Sequence, residues 1–453
     1  MLFRSAAPSG PNTMFLKLAA VALLLVLAWP SPPESSAAEP PALGEETGLD
    51  ELVRYAMRHS PELETRYQQW RAAVARVPQA RALPEPQLSL GFVLDEVDRS
   101  SDYMGERYGI SQLFPWFGKL SLRSDIALEE AQVEARRFES AQLELAERVT
   151  RAWFEYAWIH QAAATARESL ALMIQFESLA RSRYRVSAVS QADVNRAQVE
   201  LGRLDEQLRS LLDMLGPAAA ELNAVLGRPA HARLPASPAA PSRLAIPPLP
   251  ERDDDAWLEI ARARSPELAA ARHEITREAH AIELARREYY PDFMLGVEYE
   301  RGGSARMARM DGGGRDMVVG MVSFSIPIRR SRYDAGVAEA RARHVAANHA
   351  AQGRELGLEA EIKRALFAYR DGQRKLELYG GTLLPKARQS LASSEAAYRT
   401  GEAGFSDLID AQRVLLEFAL AQERAATDRA LALARVRTLV GETPPQADGG
   451  PSS

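Results

Sequence analysis

Apolar and polar positions alternate along this chain in two registers, one helical and one extended, and the two registers occur twice in the same order. Each copy opens with a stretch of helical periodicity, about 50–82 and 255–288, ending before Pro84-Glu85-Pro86 and Tyr290-Pro291. The period then changes to two. Leu88, Leu90, Phe92 and Leu94 alternate with Gln87, Ser89, Gly91 and Val93, and Phe293, Leu295, Val297 and Tyr299 repeat the pattern. Return strands are predicted over about 105–114 and 317–326, closed by Pro115 and Pro327, across polar loops Asp95 to Asp102 and Gly302 to Gly314. Helical periodicity then resumes over about 119–182 and 331–397. At about 1.5 Å per residue these helices would be roughly 90–100 Å long, a length that belongs to coiled coils or bundles. Gly380-Gly381 and Pro385 should kink the second one. A turn and a shorter helix complete each copy, about 191–226 and 405–440, stopping at Gly227 and Gly441.

The copies are a duplication. Ser60-Pro61-Glu62-Leu63 recurs as Ser265-Pro266-Glu267-Leu268 at an offset of 205, which also brings Pro86 to Pro291 and Gly91 to Gly296. Tyr184-Arg185, Asp193, Ala197-Gln198 and Gly227 recur at an offset of 214, as Tyr398-Arg399, Asp407, Ala411-Gln412 and Gly441. The organisation expected is a signal peptide at 1–38, repeat one at 39–227 and a linker at 228–254 that holds seven prolines. Repeat two follows at 255–441, then a disordered tail at 442–453. In repeat one the β-hairpin is 87–114 and the helical hairpin 119–226; in repeat two they are 292–327 and 331–440.

Composition then narrows the class. The N-terminus carries Arg4 and Lys17, an apolar run from Leu18 to Trp29, and the small residues Ser36-Ala37-Ala38, which together read as an export signal. No later stretch reads as a transmembrane helix. The chain has no cysteine, which excludes disulfides, thiolate metal sites and a lipidated N-terminal cysteine. A net charge of −5 offers no basic excess for nucleic acid. The histidines show no metal-ligand spacing, and neither a phosphate-binding loop nor a nucleophile elbow occurs. No enzyme, cofactor or metal site is therefore expected.

Four strands pose a physical problem, because an open sheet edge cannot stand in lipid. Strands of about ten residues with one apolar face fit an outer-membrane barrel, and three chains would supply twelve. The aromatic residues near the strand ends, Tyr103, Tyr108, Phe114, Trp116, Phe117, Tyr289, Tyr290, Phe293 and Phe324, suit either an interfacial girdle or junction packing.

On the duplicated Ser-Pro-Glu-Leu segment, the Pro-Glu-Pro and Tyr-Tyr-Pro strand starts, and the Tyr-x8-Asp spacing at 184–193 and 398–407, the chain resembles the TolC-like outer-membrane efflux family over about 45–441. That resemblance implies a mainly α fold with a small β part. It implies a homotrimer whose helical barrel is topped by a twelve-stranded transmembrane β-barrel with four strands per chain. It further implies a passive exit duct for a tripartite pump, docked to a periplasmic adaptor and an inner-membrane transporter. Carried over by position, Tyr184, Val186, Ser187 and Ala188, with Thr400, Gly401 and Glu402, form the tip turns that an adaptor grips. Asp193, Tyr398, Asp407 and Asp410 belong to a periplasmic gate or selectivity ring. Ser187 stands where the family commonly has glycine, and Ala403 where some members have arginine. The same acids would also suit ordinary helix capping. The segment Gln112 to Lys119 looks like one common in members associated with heavy-metal exporters, which leaves metal ions or drugs as cargo. The rival is a periplasmic coiled-coil adaptor or scaffold that never enters the membrane.

Overall fold

The computed structural model describes residues 47–92, 106–234, 240–243, 248–301 and 316–442. The export signal, Val93, Leu94 and Tyr103, both strand–strand loops Asp95 to Asp102 and Gly302 to Gly314, and the tail expected at 442–453 apart from Glu442 lie outside those residues. The elements run α1 Leu49–His59, α2 Pro61–Arg81, β1 Gln87–Phe92, β2 Glu106–Phe114, α3 Lys119–Arg185 and α4 Gln191–Val225. The second copy gives α5 Asp254–Arg264, α6 Pro266–Arg287, β3 Phe293–Arg301, β4 Met317–Phe324, α7 Arg330–Leu378, α8 Leu384–Thr400 and α9 Phe405–Leu439.

The first helical stretch of each copy is two helices where the periodicity suggested one. Ser60 and Ser265 break it: each adopts extended backbone, caps the next helix by accepting from the amide of Leu63 or Leu268, and precedes a proline at the first helical position. The kink expected at Gly380-Gly381 takes the form of a five-residue π-turn, Tyr379–Leu383, which separates α7 from α8. α3 is unbroken over 67 residues, about 100 Å.

Long helices of this kind are held by packing, since their apolar positions form stripes. Along its upper part α3 meets α2, where Trp70 stacks on Phe138 and Tyr67 packs tilted against it. Lower down it meets α4, with Ala162, Ala163 and Ala166 against Leu208 and Leu211. On another side it meets α6 and α9, and these two in turn pack on α7. Polar contacts mark the seams: His273 Nδ1 of α6 lies in hydrogen-bond contact with Glu129 at 2.7 Å, and Glu274 is ion-paired between Arg137 of α3 and Arg354 of α7 at 2.9 and 2.8 Å. The helices therefore form a layer four columns wide: α2 and α4, then α3, then α6 and α9, then α7 and α8.

The strands follow the same order. One antiparallel sheet runs β1-β2-β3-β4, with Leu88 opposite Ile110, Ile110 opposite Val297, and Phe293 between Phe114 and Phe324. Both the sheet and the helical layer end in two open edges, β1 with the first column and β4 with the last.

The two copies close on themselves in the same way. Gly227 and Gly441 end α4 and α9 with φ of 73° and 69°, and a Cβ at either would stand 2.6 Å from a backbone carbonyl, that of His59 or Arg264. Each glycine thus lets a helix end abut the Ser-Pro break of its own copy. The proline-rich segment between copies is docked where it is described: Ser242 gives its amide and hydroxyl to buried Glu423 of α9 at 3.1 and 2.6 Å.

Candidate functional site: the strand faces and the hairpin tip

Register sorts the sheet into two faces, because directly opposed residues point the same way. One face carries Leu88 and Leu90, Ile110, Leu295 and Val297, and Val318 and Val322, all strongly exposed in the single chain. The other carries Gln87, Ser89, Ser111, Arg107, Glu298 and Glu300 beside Leu113, Met317 and Met321, with Arg107 paired to both glutamates at 4.0 and 3.5 Å. An exposed apolar face bounded by aromatics needs lipid or another apolar partner. At one end Phe114, Phe293 and Phe324 lie in line, the first two stacked, beside Trp116, Phe117 and Tyr290. At the other, Tyr108 meets Tyr299, with Glu106 and Asp316 taking their hydroxyls. Six residues of β2 separate the two aromatic levels, about 20 Å of strand, close to the apolar height of an outer-membrane barrel.

Where sheet meets helices, Lys119 is wholly buried. Its ammonium donates to Asp292 at 2.8 Å, the Tyr290 carbonyl at 3.1 Å and Glu288 at 3.4 Å, tying the start of α3 to the second copy's strand start. Asp292 also takes the amide of Trp116 at 2.8 Å.

The α3–α4 and α8–α9 turns lie together at the far end. Ser187 has φ of 58° and Gly401 φ of 90°, at repeat-equivalent positions 214 apart. Both turns close by the same pattern: Ala188 donates to the Arg183 carbonyl at 2.9 Å, and Glu402 to that of Ala397 at 2.9 Å. The position where a family glycine was expected is thus a left-handed one that serine tolerates at a cost. Tyr184, Val186, Ser187 and Ala188, with Thr400, Gly401 and Glu402, form an exposed rim.

Asp193 and Asp407 occupy the third position of α4 and α9 and accept the amides of Ser190 and Gly404 at 3.2 and 3.0 Å. Asp193 is further engaged by the Ser190 hydroxyl and by Arg196. Asp410 is 70% exposed, with Arg413 at 3.7 Å. Tyr398 is the exception among the expected ring residues. It is 1% exposed, wedged between Phe405 and the guanidinium of Arg183, 5.0 Å above its ring, so it builds the tip's interior and does not line a surface. Burial raises its phenol pKa, with Arg183 opposing.

Sequence reasoning missed the tip's buried carboxylate. Glu200 takes Arg203 of its own helix at 2.5 Å and Arg413 of α9 at 2.6 Å, and is 1% exposed. Burial pushes its pKa up, but the two arginines overcome this and hold it below the ordinary value. The signal was present: Glu200 falls on the stripe formed by Val194, Ala197, Leu204, Leu208 and Leu211, where an acid is costly unless paired. Arg196 adds a second link between hairpins, to the Ser406 hydroxyl at 3.0 Å.

The duplicated layer, the shared sheet and the paired tip turns together define a protein built as a segment of a barrel. Residues 52–228 and 257–442 match the family model described as outer membrane efflux protein, and the chain belongs to that family. It is 28% identical over 322 residues to the protein CyaE of Bordetella pertussis, covering 68% of this chain and 64% of CyaE, just under two thirds of that protein. It is 22% identical over 342 residues to the cobalt-zinc-cadmium resistance protein CzcC of Cupriavidus metallidurans, covering 75% of this chain and 77% of CzcC. Among solved structures it superposes on CusC, a protein that forms a transmembrane channel, with a TM-score of 0.73 at 15% identity, over 90% of this chain and 99% of that one. No helix among the described residues is long and apolar enough to cross a membrane.

Proposed function

We propose that three copies of this chain close into one duct, a twelve-stranded barrel in the outer membrane continuous with a periplasmic helical barrel. In this reading the duct passively conducts solute exported by an inner-membrane transporter and a periplasmic adaptor. The observation that carries this is the coincidence of two open edges. The sheet ends at β1 and β4 and the helical layer at the columns attached to them, so head-to-tail contact closes both at once. The apolar face of the sheet then meets lipid, and Arg107, Glu298 and Glu300 face the bore.

The tip turns, Tyr184 to Ala188 and Thr400 to Glu402, are the adaptor's foothold. Asp407 and Asp410 form the entrance ring, with Asp193 capping beside it and Tyr398 packing behind it. Six carboxylates around a constriction favour cations over anions. With the likeness to CzcC, that ring supports metal cations as the cargo class.

The test is conduction by the purified protein in planar bilayers. Asp407→Asn combined with Asp410→Asn should lower the cation-over-anion permeability ratio at least twofold while the oligomer stays intact. An unchanged ratio removes the ring from the mechanism. A protein that stays water-soluble without detergent would favour the periplasmic scaffold.

A further inference from the structure

Four joints link the strands to the helices just beyond the Phe114, Phe293 and Phe324 level: residues 81–87, 115–119, 283–292 and 325–334. They keep apolar side chains on the surface after the chain has left the sheet. Phe117, Ile326 and Ile328 are 71%, 76% and 83% exposed, and Leu83 and Tyr290 are exposed as well. Such a run of exposed apolar groups is out of place in water and continues the apolar face of the strands.

The same joints are basic. They hold seven cations and five acids, in a chain whose net charge is −5. Four of the acids are already engaged: Glu288 and Asp292 by buried Lys119, Glu283 by Arg286, and Asp334 by the Tyr289 hydroxyl. Arg81, Arg287, Arg329, Arg330 and Arg332 are exposed, and none has an ion-pair partner among the described residues. Arginines further down the long helices differ, as Arg343 pairs with Glu339 and Arg399 with Glu395. Aromatic contacts gather the unpaired cations. Arg287 lies 5.9 Å over the ring of Tyr290, which stacks on Trp116 beside Phe117. Tyr289 packs on Tyr333 at 5.4 Å and so sets the end of α6 against the start of α7, where the other three arginines of the second copy stand.

We infer that the joints form a collar that binds anionic phospholipid of the periplasmic leaflet. Its phosphates sit on Arg287, Arg329, Arg330 and Arg332, and its acyl chains lie against Phe117, Ile326 and Ile328. The occupant follows from continuity and from charge. The lipid-facing strand positions end at Phe114, Phe293 and Phe324, so the side chains just beyond them stand at headgroup depth. Guanidinium forks match phosphate oxygens two at a time. A surplus of unpaired cations selects a lipid of net negative charge over a zwitterionic one, whose own ammonium balances its phosphate. The inference rests on the barrel proposed above and adds to it the headgroup class that seats it.

The test is native mass spectrometry of the full-length oligomer released from mild detergent, with phosphatidylglycerol or phosphatidylcholine added at equal concentration. The wild-type trimer should retain phosphatidylglycerol at least fivefold over phosphatidylcholine. Glutamine at Arg287, Arg329, Arg330 and Arg332 together should bring that preference below twofold, while lysine at the same four positions keeps most of it. Arg209→Gln with Arg374→Gln, exposed on α4 and α7 away from the joints, should leave it unchanged. A wild-type trimer without the preference overturns the collar and leaves the barrel standing. So does a four-glutamine variant that retains it. A four-glutamine variant that falls to monomers while the lysine variant stays trimeric also overturns the collar, and assigns these arginines to the contact between copies. A wild-type chain that is monomeric and needs no detergent overturns both.

Discussion

Ser187 and Gly401 put one backbone demand on two residue types. The left-handed conformation costs a residue with a Cβ about 1–2 kcal/mol, and glycine gives back about 0.5–1 in unfolded-state entropy. Ser187→Gly should therefore stabilise by up to about 1 kcal/mol, and Gly401→Ala should destabilise by a similar amount, about 1 kcal/mol, both read by thermal denaturation. At Gly441 the demand is steric as well. Alanine there meets the Arg264 carbonyl at 2.6 Å, so Gly441→Ala should cost about 2–4 kcal/mol and lower the Tm visibly. A loss no larger than at Gly401 would show that the helix end can shift away from the Ser265 break. Gly227 and Gly441 could be found from the repeat, since they recur at the fixed offset of 214. The carbonyls that require them come from a different part of the chain, and no local pattern reveals that.

At the scale of elements, the strands divide their labour by alternation. Leu90 and Val297 stand on the apolar face, Ser111 on the polar one. Lysine at a lipid-facing position near the membrane midplane costs about 2–4 kcal/mol, and much less at a bore-facing one. Leu90→Lys and Val297→Lys should each reduce the fraction of protein recovered in outer-membrane fractions, and Ser111→Lys should not. Equal losses for all three would remove the distinction between faces. The alternation was legible from residues 87–92 and 293–299 because a period of two needs no tertiary context. The breaks at Ser60 and Ser265 were less so. The Ser-Pro-Glu-Leu segments read equally as the start of a helix or as a point within one, and the abutting glycine turn settles the matter.

Across the whole molecule, the two copies are tied by charged side chains at several heights. Arg435 of α9 reaches Glu147 of α3 at 2.9 Å and also Glu361 of α7, acids at repeat-equivalent positions. At the tip Glu200 does the same work between α4 and α9. Its folded pKa lies below the ordinary glutamate value of 4.5, so the unfolded chain binds the proton more readily. The contribution is complete above that ordinary value and is lost as the pH falls through the depressed folded one. Glu200→Gln should accordingly cost about 1–3 kcal/mol near neutral pH, and the gap from wild type should narrow on acidification into that range. A pH-independent gap would assign the loss to packing and not to charge.

The duplication, the order of elements and the alternating strand faces were determined by the sequence alone. Each is a periodicity, and a periodicity is a local property of the chain. The lengths of the long helices were set there too, by unbroken runs of helix-forming residues between turn signals. Tertiary structure decided what periodicity cannot carry: which columns touch, and hence where the open edges fall. It also decided that Tyr398 is interior while Asp410 is exposed, and that Glu200 is neutralised by an arginine 213 residues away. Those facts depend on which surfaces meet. That choice is made by the summed burial of apolar faces from distant segments, not by any one of them.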